Sequence, residues 1–99
     1  MKLIWTREAL EKLSEIEIFI SQDNPDRAEI FVNYLIDKCE SLINNPQIGR
    51  IVPEILNPNI RELIVKKYRI VFKTQENSIQ ILTVFEGHRL LRIDELGIK

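Results

Sequence analysis

Residues 59–72 contain two apolar, strand-like stretches in quick succession, and each stretch carries an arginine, Arg61 or Arg69. A guanidinium keeps its charge and presents a planar fork that suits a carboxylate or a phosphate. An arginine in the middle of a strand is therefore paired within the fold or directed at an anionic partner. A second basic pair, His88 and Arg89, keeps the second alternative open.

The composition describes one small domain and excludes several classes of protein. The chain has 99 residues, 44% hydrophobic and 29% charged, and no apolar run approaches the ~20 residues of a membrane helix. The N-terminal residues reach Glu8 without an apolar signal region, which favours a cytoplasmic location over secretion. The single Cys39 cannot form an internal disulfide, and its helical spacing from Leu35 and Leu42 predicts a core residue.

The charge is unevenly distributed along the chain. Residues 1–49 carry five Lys or Arg and nine Asp or Glu, whereas residues 50–99 carry nine and six. The first half is therefore acidic and the second mildly basic, so any attraction for anions belongs to the second half. A net charge of −1 is not that of a general nucleic-acid binder.

The first half predicts a strand and two helices. Lys2 to Trp5 reads as a short strand, and Thr6 is suited to cap a helix that ends near Gln22. Asn24 and Pro25 then favour the start of a second helix, which Asn44-Asn45-Pro46 ends. Each helix has an apolar stripe: Ala9, Leu10, Leu13, Ile16, Phe19 and Ile20 in the first, and Ala28, Phe31, Val32, Leu35, Cys39, Leu42 and Ile43 in the second. The short link between them favours an antiparallel hairpin.

After a loop, Gln47 to Asn59, the apolar period changes to two, which predicts a meander of three antiparallel strands. The predicted fold is α+β: a small two-layer β-α-α-β-β-β domain with the helix hairpin on one face of a mostly antiparallel sheet. Tyr68, Ile70 and Phe72 should face the helices. Arg69 would then point to the other, uncovered face and give it a basic surface.

The chain resembles the RelE/ParE superfamily of toxins from bacterial toxin–antitoxin pairs. The resemblance rests on the order and spacing of several short motifs. They are Trp5, Leu42-Ile43 with Pro46, Gly49-Arg50 with Pro53-Glu54, residues 60–63, residues 68–72, Ile79 to Val84, and Gly87-His88-Arg89. The resemblance implies an antitoxin as partner, no cofactor and no metal. It leaves two targets open, because RelE-like members cleave mRNA on the ribosome and ParE-like members poison DNA gyrase.

The resemblance also suggests site residues. In an RNase of this kind, Arg69 and Arg89 would stabilise charge on the phosphate, His88 would protonate the leaving oxygen and Glu54 would be the catalytic carboxylate. Each has a plainer interpretation: Glu54 is a solvated or arginine-paired loop residue, and His88 is a turn residue. For antitoxin binding, the basic cluster Arg50, Arg61 and Arg69 is predicted to meet an acidic segment. The plainer interpretation of Arg61 is a structural ion pair. Glu62, which follows it directly, is not a suitable partner, because adjacent residues of a strand face opposite ways.

Two departures from the RelE pattern favour gyrase as the target. Residues 90–96 contain no aromatic residue where many RelE-like RNases have a tyrosine, and the chain is slightly acidic. A third alternative is a non-toxic module that only binds its antitoxin. If Arg69 lies on the uncovered face of the sheet, Arg69→Ala should remove toxicity and leave the fold intact.

Overall fold

A computed structural model describes residues 1–87, and the predicted two-layer α+β fold is confirmed. His88, Arg89 and the segment 90–96 lie outside the described residues. The helices are α1 (Arg7–Ser21) and α2 (Pro25–Glu40), and the strands are β1 (Lys2–Trp5), β2 (Arg50–Ile51), β3 (Ile60–Val65), β4 (Tyr68–Thr74) and β5 (Ser78–Glu86). Two short 3₁₀ turns, Ser41–Ile43 and Pro46–Ile48, connect α2 to β2. Neither α1 nor α2 is long and apolar enough to cross a membrane.

The helices begin where their capping residues predict. The Thr6 side chain accepts a hydrogen bond from the Ala9 N–H at 3.2 Å, and Asn24 accepts one from the Arg27 N–H at 3.1 Å, with Pro25 next in the chain. These side chains satisfy N–H groups that have no partner within the helix. Thr6 also donates to the Ile81 carbonyl at 2.8 Å, which ties the start of α1 to β5.

The sheet has five strands in the order β1-β5-β4-β3-β2. β1 pairs with β5 in parallel, and the other neighbours pair antiparallel. β2 lies within the segment that the sequence predicted as a loop. A strand of two residues has no apolar period of its own, so only its pairing with β3 reveals it.

The face of the sheet under the helices carries the larger apolar core. It consists of Ala9, Leu13, Ile16, Val32, Leu35, Cys39, Leu42, Val65, Tyr68, Ile70, Phe72, Ile79, Ile81 and Val84. Tyr68, Ile70 and Phe72 therefore lie on the predicted face. The ring of Phe31 lies 5.5 Å from that of Tyr68, centre to centre, and joins α2 to β4.

The opposite face of the sheet has a second, smaller core instead of an open surface. Its buried members are Val52, Ile60, Val71 and Leu82, with Ile55 and Phe85 packed against them. Val52 and Ile55 come from the segment between β2 and β3, which folds back over the sheet. The predicted uncovered basic face is therefore wrong, because this segment covers part of it.

A bulge in β5 explains how one strand serves both cores. Val71 pairs with Thr83, but the next residue of β4, Phe72, pairs with Ile81, so Leu82 is an extra residue in β5. An extra residue reverses the alternation of the side chains beyond it. Ile79, Ile81 and Val84 accordingly join the helix-side core, whereas Leu82 and Phe85 join the second core.

Candidate functional site

Arg69 lies at the centre of a charged network on the second face of the sheet. Its Nη1 and Nη2 donate to Oε2 and Oε1 of Glu54 at 2.9 and 2.8 Å, a two-pronged pairing of guanidinium and carboxylate. Its Nε donates to Oε1 of Glu62 at 2.6 Å. Two parallel hydrogen bonds between charged groups fix the orientation of both planes. Arg69 is thus held on three sides by carboxylate oxygens.

Glu62 connects Arg69 to Arg50. The register of the sheet places Arg50 directly opposite Glu62, and the Arg50 Nε donates to Oε2 of Glu62 at 2.6 Å. The Glu62 side chain is fully buried, and that of Arg69 is 7% exposed. The Glu54 side chain is 22% exposed, and that of Arg50 is 63% exposed. The network therefore runs from the interior to the solvent at both ends. We call Arg50, Glu54, Glu62 and Arg69 the Arg69 network.

The Arg69 network balances its charges, with two guanidinium groups against two carboxylates. The hydrogen bonds that Arg69 donates to Glu54 raise the pKa of Arg69, burial lowers it, and the hydrogen bond that Arg69 donates to Glu62 raises it further. The guanidinium carbon also lies 4.9 Å from the centre of the Phe85 ring, within the range of a cation–π contact. Arg69 is therefore held in its charged form by contacts within the fold.

Two glycines border the Arg69 network. A side-chain carbon at Gly49 would lie 2.7 Å from Cζ of Phe72 and 2.8 Å from the carbonyl oxygen of Glu62, so no larger residue fits without movement. The Gly49 carbonyl accepts a hydrogen bond from Nη1 of Arg61 at 3.0 Å. Gly87 lies beside the stem of Arg69, where an added carbon would be 3.5 Å from its Cγ. Gly87, the last described residue, thus lies next to Arg69.

The structure brings some of the predicted site residues together. Glu54 and Arg69 are in direct contact, and Arg50 joins them through Glu62. Arg61 points away from this network, since it lies on the strand face opposite to Glu62, and is half-buried against Gly49. The predictions for His88 and Arg89 fall on residues outside those described.

The prediction that Arg69 is an exposed residue is wrong, so the expectation that Arg69→Ala leaves the fold intact loses its basis. Residue 69 is 6% exposed, and its removal would leave a buried carboxylate without one of its partners. Arg69 does lie on the face opposite to the helices, as the alternation predicts. The sequence did not predict that the segment between β2 and β3 covers this face, or that Glu54 and Glu62 reach Arg69 there.

Sequence reasoning missed Glu62. The available signal was its position: it alternates with Arg61 and shares a face with the buried Ile60, next to the strand of Arg69. A carboxylate on a buried strand face needs a cationic partner. Among residues 1–87, no group of three or more His, Cys, Asp or Glu side chains could hold a metal ion.

The chain is similar over most of its length to a toxin family model, a curated protein and a solved structure. A family model described as "ParE toxin of type II toxin-antitoxin system, parDE" matches residues 3–91. A protein of Sinorhizobium fredii (strain NBRC 101917 / NGR234) named "Putative toxin Y4kP" is 31% identical over 90 residues, which cover 89% of this chain and 90% of that protein. A solved chain of the "Chromosomal ParDE TA system from P. aeruginosa" superposes with a TM-score of 0.73 at 25% identity, covering 87% of this chain and 95% of that one.

Proposed function

The chain belongs to the ParE toxin family of type II toxin–antitoxin systems, and we propose that it stops growth by poisoning DNA gyrase. Toxins that inhibit gyrase and toxins that cleave mRNA share this fold, so the fold alone does not decide between the two activities. The choice depends on what the Arg69 network can do chemically in this chain.

The observation that carries the proposal is the pairing of Arg69 with Glu54. In an RNase, Arg69 would bind the scissile phosphate and Glu54 would take a proton from the 2′-hydroxyl. Here the two side chains bind each other through two hydrogen bonds of 2.8 and 2.9 Å, and Glu62 holds the third side of the guanidinium. A phosphate would have to displace a carboxylate from a guanidinium that is 7% exposed. This arrangement favours a structural role for both residues and a target other than mRNA.

The charge of the chain supports the same choice. Cleavage of ribosome-bound mRNA brings a toxin close to many phosphates, and counterion release then rewards each added Lys or Arg. This chain has a net charge of −1, and the Arg69 network adds no net positive charge on the second face. An acidic balance is compatible with binding to a protein target such as gyrase.

The antitoxin is the second partner. Membership of a type II toxin family and likeness to a chain of a ParDE system support a cognate antitoxin. We propose that Arg50, the exposed end of the Arg69 network, pairs with an acidic group of the antitoxin; Arg61 lies on the other face of this edge of the sheet. Arg69 would act in that contact only by holding Glu62 in place beneath Arg50.

Purified protein tests the target directly. We expect inhibition of gyrase-catalysed supercoiling of a relaxed plasmid, and relief of this inhibition on addition of the antitoxin encoded beside the toxin gene. In cells, induction of the toxin alone should stop growth and start the DNA-damage response. Primer extension on mRNA from the same cells should show no new 5′ ends within codons.

The opposite outcomes identify the two alternatives. Sharp new 5′ ends that disappear with Glu54→Gln would replace the gyrase proposal with ribosome-dependent mRNA cleavage. Unchanged supercoiling, intact mRNA and normal growth, together with tight antitoxin binding, would identify a non-toxic antitoxin-binding module. Glu54→Gln is the suitable variant because it keeps the shape of the side chain while Arg69 keeps its contact with Glu62.

A further inference from the structure

Two lysines share one exposed aromatic ring where α2 meets the turn between β3 and β4. The Nζ of Lys38 lies 5.3 Å from the centre of the Tyr34 ring, and the Nζ of Lys66 lies 5.5 Å from it. Lys66 has a φ of 55°, in the left-handed region, and forms the turn with Lys67. A non-glycine residue in this region is uncommon and costs conformational energy. The turn thus brings a cation to the ring that a cation on the helix also contacts.

Neither ammonium group is neutralised within the described part of the chain. Across residues 1–87, no carboxylate oxygen lies within 4.0 Å of the Nζ of Lys38 or Lys66. Lys12, by contrast, lies within that distance of Glu8 and Glu15, and both Arg50 and Arg69 are paired with Glu62. Two like charges held beside one ring repel each other, and an anionic partner near them would relieve that repulsion. The cations available to a partner are therefore these lysines more than the buried arginine.

An apolar residue extends this surface along α2. Ile30 is 71% exposed, and Ile30, Tyr34 and Lys38 follow one another at intervals of four residues, which places them along one side of the helix. The other side of α2 packs into the core through Ala28, Val32, Leu35 and Cys39. We call Ile30, Tyr34, Lys38 and Lys66 the α2–turn surface. It combines an exposed aliphatic residue, an aromatic ring and two cations.

We propose that the α2–turn surface binds an acidic, amphipathic segment of the cognate antitoxin. Carboxylates of that segment would pair with Lys38 and Lys66 beside the Tyr34 ring, and an apolar side chain would pack on Ile30 and Tyr34. Ile30 and Lys38 are eight residues apart, or about 12 Å along a helix, so about two turns of a partner helix cover the surface. The segment should therefore carry an apolar residue about two turns from these carboxylates.

The charge distribution favours an acidic peptide over nucleic acid as the occupant. Residues 1–49, which form both helices, carry nine acidic and five basic side chains, so an extended polyanion such as duplex DNA would be repelled beyond the two lysines. A short acidic segment can contact Lys38 and Lys66 and avoid the acidic side chains elsewhere on the helices. Segments of this kind often fold on binding, and charge complementarity then sets their position.

The inference deepens the antitoxin half of the proposed function and is independent of gyrase. Its test measures the affinity of the purified toxin for the antitoxin encoded beside it, by titration calorimetry. We expect K38E/K66E to raise the Kd by roughly tenfold or more, since it replaces two attractions with two repulsions. The matched control is K2E, which reverses an exposed lysine on the edge strand β1 and should change the Kd less than about twofold.

Two further measurements complete the test. The milder K38Q/K66N keeps the proposal testable if charge reversal disturbs the fold, and it should weaken binding by several-fold, with less dependence on salt than the wild type. I30S removes the apolar contact and should also weaken binding. A Kd for K38Q/K66N and I30S within twofold of the wild type, in proteins with an unchanged circular dichroism spectrum, would overturn the inference. A failure of gyrase inhibition would leave these affinities as they are.

Discussion

The two faces of the sheet stabilise the fold by different means. The face under α1 and α2 is apolar throughout, with side chains from both helices and four strands. The opposite face has a small apolar core beside the Arg69 network, in which two arginines and two glutamates hold one another. Apolar packing tolerates changes that conserve volume, whereas a buried charge depends on each of its partners.

The ionisable groups of the two faces show the same contrast. Burial raises the pKa of Cys39, under the helices, to about 12, which keeps the thiol neutral. The carboxylates around Arg69 raise its pKa as well, but there the charged form is favoured. The helix face thus excludes charge, and the second face accepts charge only as pairs.

The largest expected effect comes from breaking the Arg69 network at its buried centre. Glu62→Ala should lower the free energy of unfolding by about 3–5 kcal/mol, because Arg69 loses a partner in a site without access to water. Urea denaturation followed by circular dichroism measures this. A loss below about 1 kcal/mol would mean that solvent reaches Arg69 and that the two faces are less different than their burial indicates.

A double substitution provides the matched control. Glu62→Leu with Arg69→Met replaces the buried pair by apolar side chains of similar size and should recover stability to within about 1 kcal/mol of the wild type. Glu54 then turns to solvent, to which it is already 22% exposed. A stable double variant also separates stability from toxicity. If it inhibits gyrase as the proposed function expects of the wild type, the buried pair of Glu62 and Arg69 is not needed for toxicity.

On the helix face, the test is the reactivity of Cys39. A pKa of about 12 instead of 9.0 leaves roughly a thousandfold less thiolate at pH 8, so alkylation in the folded state should be slower than in urea by at least that factor. The same shift sets a pH dependence. Stability associated with the neutral thiol is complete below pH 9 and is lost as the pH rises towards 12, because only the unfolded chain releases the proton readily. Rapid alkylation of folded protein at pH 8 would show that this face is open to water.

A smaller effect is expected at Gly49, which lies between the ring of Phe72 in the helix-side core and the backbone of Glu62. Gly49→Ala adds a carbon 2.7 Å from Cζ of Phe72 and 2.8 Å from the backbone of Glu62, and this crowding should cost about 1–3 kcal/mol. Gly87→Ala is the control, since its added carbon would lie 3.3 Å from the nearest atom, the Lys67 carbonyl oxygen. The two substitutions should differ clearly in thermal denaturation. Equal losses would contradict the role of Gly49 as a close-packing position.

The helix side of the fold was predictable from sequence because its signals are local. The caps at Thr6 and Asn24 and the apolar stripes predict α1 and α2, and the period of two predicts β3 and β4 with Tyr68 facing the helices. The bulge at Leu82 was not predicted, since one extra residue in β5 leaves no mark in an apolar sequence. Regular alternation from Ile79 and Ile81 would place Phe85 under the helices, whereas the bulge places it against the second core.

The candidate site was only half predictable, because its contacts join distant parts of the chain. Glu54 is 15 residues from Arg69, and Glu62 is 7 residues from it. Glu54 lies in a segment with Pro53 and Pro58 that reads as a loop, and nothing in the sequence shows that this segment folds over the sheet. Residue type identified Arg69 as either paired or partner-binding, and only the tertiary contacts decide that it is paired.

The smallest expected effect tests whether burial or hydrogen-bond length determines how much each arginine of the Arg69 network stabilises the fold. Arg50 and Arg69 each donate from Nε to Glu62 at 2.6 Å, but the Arg50 side chain is 63% exposed and that of Arg69 is 7% exposed. Arg50→Ala should therefore cost less than about 1 kcal/mol, because water competes for an exposed pair, and the cost should shrink further in 1 M salt. Arg69→Ala should cost several times more at either salt concentration, because it strands the buried Glu62. Urea denaturation of both variants at low and high salt measures the difference. Equal losses would show that the 2.6 Å contact itself, and not its removal from water, determines the contribution of each arginine.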